Sequence, residues 1–70
     1  ASDFQRAYDA LCTQVDAGRE TAIDAYAAES PEEFFAVCSE YHFSDVATLR
    51  SAMPEVAAHL QRFYGPPLLG

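Results

Sequence analysis

Residues 30–43 read Ser30-Pro31-Glu32-Glu33-Phe34-Phe35-Ala36-Val37-Cys38-Ser39-Glu40-Tyr41-His42-Phe43, and the fold turns on this stretch. It opens with the pattern of a helix start. Ser30 stands at the N-cap, Pro31 at the first helical position and Glu33 three residues after the cap. A cap hydroxyl accepts one of the N–H groups that the first helical turn leaves unpaired. Proline at the next position loses nothing, because its missing N–H would have had no partner. Glutamate at the third position completes a capping box and faces the positive end of the helix dipole. Phe34, Val37, Cys38 and Tyr41 follow on one stripe at helical spacing. Phe35 and His42 widen the stripe, so this helix is expected to be central and covered on more than one side.

The flanks add three more helices. Towards the N-terminus, Phe4, Ala7, Tyr8, Leu11 and Val15 share one helical face over about residues 2–17. Ser2 caps its start, and Gly18 can close its end. Towards the C-terminus, Ser44-Asp45 caps a short helix over about 45–52 that contains Ala47, Leu49 and Arg50. Met53-Pro54 then breaks the pattern, because the residue before a proline resists the α conformation. Pro54 starts a last helix over about 54–64, with Val56, Leu60 and Phe63 on its buried face. Gly65-Pro66-Pro67 stops it, which leaves Leu68-Leu69-Gly70 as a tail or a strap. Between the first two long helices, Thr21, Ile23, Ala25 and Ala27 alternate with polar neighbours but have no second run to pair with. This segment reads as an ordered loop around Tyr26. The fold class is therefore all-α, a small bundle of three main helices and one short one.

The chain has 70 residues, half of them apolar, with four tyrosines and five phenylalanines, so it is one domain or part of one. Its net charge of −7, with four basic residues in all, disfavours nucleic acid and anionic membranes as partners. No apolar run reaches the ~20 residues that span a bilayer, and no signal peptide is expected at Ala1. Two cysteines, Cys12 and Cys38, are too few for a disulfide scaffold. They read as small apolar side chains of a helical core in a reducing compartment, with a single inter-helix bridge as the alternative.

No complete catalytic motif is present: neither His-Glu-x-x-His, nor Gly-x-Ser-x-Gly, nor a phosphate loop. His42 and His59 lie far apart in sequence and make a weak metal pair. Each is expected at the surface or partly buried. Cys38 and His42, one turn apart, could suit a metal, but two core residues explain the same spacing. Glu33 by itself is accounted for by its capping role.

Residues 26–43, from Tyr26-Ala-Ala-Glu-Ser-Pro-Glu-Glu33-Phe-Phe-Ala through Ser39-Glu40-Tyr41, resemble the C-terminal signature of the Mlc titration factor A (MtfA) family. The resemblance spans nearly the whole chain. It implies a zinc-dependent peptidase, described for the family as an aminopeptidase, that also binds the transcriptional repressor Mlc. It implies that Glu33 is the third zinc ligand, after two histidines of a His-Glu-x-x-His helix that this chain lacks. It implies that Tyr26 stands near the metal. Two histidines and one glutamate are a common catalytic zinc set, and a phenol beside the metal can stabilise an oxyanion. Glu40, two turns after Glu33, is either a carboxylate supporting that ligand or a solvated surface acid. Ala25, His42 and Val46 depart from the family pattern, and none of them removes a proposed ligand.

These readings give a C-terminal part of a cytoplasmic metallopeptidase, its partners being a peptide, an Mlc-like repressor and the missing N-terminal part of the same protein. The parent needs zinc. The 70-residue chain alone is expected to hold none and to be inactive, since one carboxylate does not make a tight site. The alternatives are a free-standing helical interaction module and a domain that kept the fold but lost catalysis. If the chain is a piece, apolar residues that have lost their partners should be exposed, with Ile23, Phe35, Leu68 and Leu69 as candidates.

Overall fold

A computed structural model describes residues 2–66. Helix α1 spans Asp3–Asp16, α2 Pro31–Ser44, α3 Val46–Ala52 and α4 Pro54–Tyr64. The segment around Tyr26 contains one 3-10 turn, Ala25–Ala28, and no strand occurs among the described residues. The chain is thus all-α, with three long helices and one short one.

Local chemistry sets each boundary. The Ser2 hydroxyl accepts the Gln5 N–H at 3.0 Å, and the Ser30 hydroxyl accepts the Glu33 N–H at 3.1 Å. Asp45 caps α3 by accepting from the Thr48 N–H at 3.3 Å and the Thr48 hydroxyl at 2.7 Å. Helix α1 ends in a Schellman motif. Gly18, at φ 75°, donates to the Val15 carbonyl, while Arg19 donates to the Gln14 carbonyl, both at 3.0 Å. Helix α4 has no side-chain cap and starts on Pro54 at its first turn. Gly65, at φ 84°, ends it.

The core holds Leu11 from α1, Phe34, Val37 and Cys38 from α2, Leu49 from α3, and Val56, Ala57 and Leu60 from α4. Ile23 and Ala27 of the connecting segment complete it. That segment packs against both α1 and α2. The Tyr8 hydroxyl and the Cys12 thiol both donate to the Ala28 carbonyl, at 3.4 and 3.8 Å, which ties the 3-10 turn to α1. Asp3 joins α1 to α4 by accepting from His59 Nε2 at 2.9 Å.

Three expectations are corrected. Ile23 is 1% exposed, not left bare, because the connecting segment folds inward and uses it as a core residue. Phe63 is 71% exposed, because the buried face of α4 is taken by Val56, Ala57 and Leu60 and Phe63 lies off it. His42 is fully buried, enclosed by Phe43 and Tyr64 at centroid distances of 4.8 and 5.7 Å. Phe35 is exposed as expected. Leu68 and Leu69 lie outside the described residues.

Both cysteines are free. Burial pushes the Cys38 thiol up to about 12, whereas Cys12 is half-buried. The thiolate is the reactive form. Peptide mapping after native alkylation at pH 8 should find Cys12 modified well before Cys38, with equal labelling only after denaturation. Replacing Ser30 by Ala should cost about 1 kcal/mol, read as a lower urea midpoint with an unchanged slope.

Candidate metal-facing site

The site begins with the turn before α2. The Asp24 carboxylate accepts the Tyr26 N–H at 3.0 Å and caps the 3-10 turn. Ala27 is fully buried against the core, which leaves its neighbour Tyr26 outside, 54% exposed. Two residues after the turn, Ser30 and Pro31 start α2, so Glu33 sits in the first turn of that helix. Glu33 is half-buried and remains open to approach from outside.

Tyr26 and Glu33 come together. The Tyr26 phenol is raised above its ordinary value of 10, first by the negative charge of Glu33. Loss of solvent, side-chain hydrogen bonding with Glu33 and the charge of Glu29 add to the shift. The phenol therefore keeps its proton at neutral pH. Only half of the capping box forms. The Ser30 hydroxyl holds the Glu33 N–H, but no hydrogen bond among the described residues returns from the Ser30 N–H to the Glu33 carboxylate. The carboxylate is not committed to the cap and lies beside the phenol.

The other sequence candidates stand apart. Glu40 is exposed two turns further along α2, and its carbonyl accepts the Ser44 hydroxyl at 2.7 Å. His42 Nε2 lies 3.0 Å from the Gly65 carbonyl, to which it donates, and Nδ1 is buried without a partner. Cys38 is a buried, protonated thiol. His59 is held by Asp3 and packs on Phe4 at a centroid distance of 5.6 Å. The Cys38–His42 and His42–His59 pairs thus have structural explanations. Among the described residues, no group of three His, Cys, Asp or Glu side chains gathers as a metal site. A cleft of about 360 Å³, lined in part by Asp3, Arg6, Gln14, Ile23 and Glu55, lies elsewhere and includes none of the candidates.

Sequence reading missed two contributors. Asp24 sets the backbone of Tyr26, and its signal was legible: an aspartate two residues before a turn residue commonly accepts that residue's N–H. Glu29 adds charge beside the phenol, which follows only once the 3-10 turn folds it back.

Comparison with known proteins adds a family. The model of the family described as glucose-regulated metallo-peptidase M90 matches residues 1–65. The chain is 54% identical over 48 residues to Mlc titration factor A of Edwardsiella ictaluri (strain 93-146), covering 67% of the chain and 18% of that protein. It is 45% identical over 64 residues to the protein of the same name from Yersinia pestis (strain Pestoides F), covering 89% of the chain and 24% of that protein. The same figures hold for the one from Yersinia pseudotuberculosis serotype O:1b. The chain therefore spans less than a quarter of the length of these curated relatives. No solved structure matches it.

The contact between Tyr26 and Glu33 has a direct readout. In Glu33→Gln, the ionisation of Tyr26, followed by its ring resonances in an alkaline titration, should move down towards 10. An unchanged Tyr26 titration in a still-helical variant would show that the two groups do not interact.

Proposed function

The chain belongs to the glucose-regulated metallopeptidase M90 family, and from that premise we propose that it is the C-terminal part of a zinc-dependent, aminopeptidase-like enzyme to which it gives one metal ligand and one catalytic phenol. The observation that carries the reading is the pairing of Glu33, in the first turn of a capped helix, with Tyr26, on a separately capped turn. A carboxylate without a capping duty, half-buried and open on one side, suits a metal ligand. In this reading Glu33 supplies one oxygen donor, and the remaining ligands come from a His-Glu-x-x-His segment outside the chain.

Bound zinc supplies a Lewis acid and a water of lowered pKa. The work of the chain's own residues is positioning. The Ser30 cap and Pro31 hold the α2 backbone at Glu33, so its carboxylate is presented with little conformational freedom to lose. Tyr26, kept protonated, can donate a hydrogen bond to an oxygen that gains negative charge as a peptide carbonyl is attacked. Glu40 could steady Glu33 from two turns away, but its exposure favours a solvated acid. Glu29 and Glu32 add negative potential that attracts a cation. The names of the relatives point to the repressor Mlc as a protein partner of the whole enzyme. No helix among the described residues is long and apolar enough to cross a membrane, and two unbridged cysteines fit a cytoplasmic setting.

The reading is tested in the full-length protein. Tyr26→Phe should lower kcat on a peptide substrate by roughly 10²–10³ while bound zinc stays stoichiometric. Glu33→Gln should lose both zinc and activity after desalting, and Glu40→Gln should change little. Full kcat in Tyr26→Phe would remove the phenol from the chemistry, and full zinc content in Glu33→Gln would remove the ligand. The isolated chain should bind zinc no better than its own Glu33→Gln variant.

A further inference from the structure

Helix α2 carries large apolar side chains beyond the face it turns to the core. Phe34, Val37 and Cys38 enter the core of this chain, with Tyr41 packed against it. Phe35 and Phe43 project elsewhere and are 41% and 39% exposed. The exposed rings also form one connected ridge with the end of α4. Phe35 meets Phe63 at 6.2 Å, Phe63 meets Tyr64 at 4.8 Å, and Tyr64 meets Phe43 at 5.0 Å, centroid to centroid. Phe63 and Tyr64 are 71% and 39% exposed.

Two features suit this ridge to permanent burial. It is continuous with the core, since Phe35 touches Phe4 at 5.9 Å and Phe4 touches buried Phe34 at 6.3 Å. Covering it would extend one core, not create a second. The Tyr64 hydroxyl on the ridge also has a protein partner already, because it hydrogen-bonds with the Ser39 hydroxyl at 3.1 Å. Polar groups that satisfy one another can be covered without a desolvation penalty for unpaired atoms.

We propose that the ridge formed by Phe35, Phe43, Phe63 and Tyr64 is the seat on which the remaining part of the metallopeptidase packs, with α2 as the central helix of the joined core. The relatives supply the occupant, because this chain corresponds to only 18–24% of their length. Phe35 lies about 200° around the α2 axis from Glu33. Where Glu33 also meets the missing part, as in the proposed function, that part reaches α2 from two sides, at its first turn and at the ridge. The proposal rests on family membership and on the shape of this chain. It does not depend on Glu33 binding metal.

The test is thiol labelling, mapped by peptide mass spectrometry so that Cys12 and Cys38 are read separately. Phe63→Cys and Phe35→Cys are each made in the 70-residue chain and in the full-length protein that carries this segment. The introduced thiol should react freely in the dilute chain and about tenfold or more slowly in the full-length monomer. Two positions guard against one variant failing to fold. Equal rates in chain and full-length protein would overturn the proposal, because the ridge would then be an open surface. Protection that appears only as the concentration of either form rises would also overturn it, in favour of a second copy as the occupant. Zinc content and activity are not read, so a failed ligand assignment leaves this result intact.

Discussion

The first turn of α2 is the constraint on which the rest depends. One hydrogen bond, from the Glu33 N–H to the Ser30 hydroxyl, together with the fixed φ of Pro31, sets where this helix begins and how it is rotated. That rotation then assigns four consecutive side chains to different tasks. Glu33 lies beside Tyr26, Phe34 enters the core, Phe35 joins the exposed ridge and Ala36 faces solvent. A helix started one residue later would give up this cap and shift Glu33 relative to Tyr26.

The connecting segment makes the same point from the other side. Its 3-10 turn is short, yet it packs against two helices, and its Ala28 carbonyl accepts from both Tyr8 and Cys12. Ala27 is buried while Tyr26 stays outside. The turn therefore acts as a spacer that holds the phenol at α2 while filling the gap beneath it. A longer side chain at Ala27 would push the turn away from the core and carry Tyr26 with it.

Most of the architecture was legible because helix boundaries are written in local chemistry. Ser2, Ser30, Asp45, Pro54 and the glycines at 18 and 65 act within a few residues of themselves, and their signals need no tertiary context. What failed to show was burial around the edges of the pattern. Ile23 sits in a segment with no helical period, so its inward turn depends on the shape of the gap between α1 and α2. Phe63 fits the apolar stripe of α4 by spacing, but a stripe has two margins and the packing partner selects one. His42 reads by residue type as a surface or partly buried histidine, and its full enclosure follows from the Gly65 carbonyl closing over it just past the end of α4. The proposed site followed the same division. Glu33 and Tyr26 could be named from the stretch they share with a known family. That they interact emerged only when Asp24 folded the turn back onto α2.

The corner between α3 and α4 has a consequence for overall shape. Met53, at φ −143° and ψ 71°, breaks the helical path, and Pro54 cannot donate the N–H that would heal it. With a helix-favouring residue in place of that proline, Val46 to Tyr64 could straighten into a single rod of about 28 Å. The described residues measure 34 × 24 × 18 Å, so such a rod would run most of that length. Leu49 and Leu60, which now share one core, would be drawn apart along it. One imino ring thus helps to keep the corner that lets α3 and α4 pack on each other.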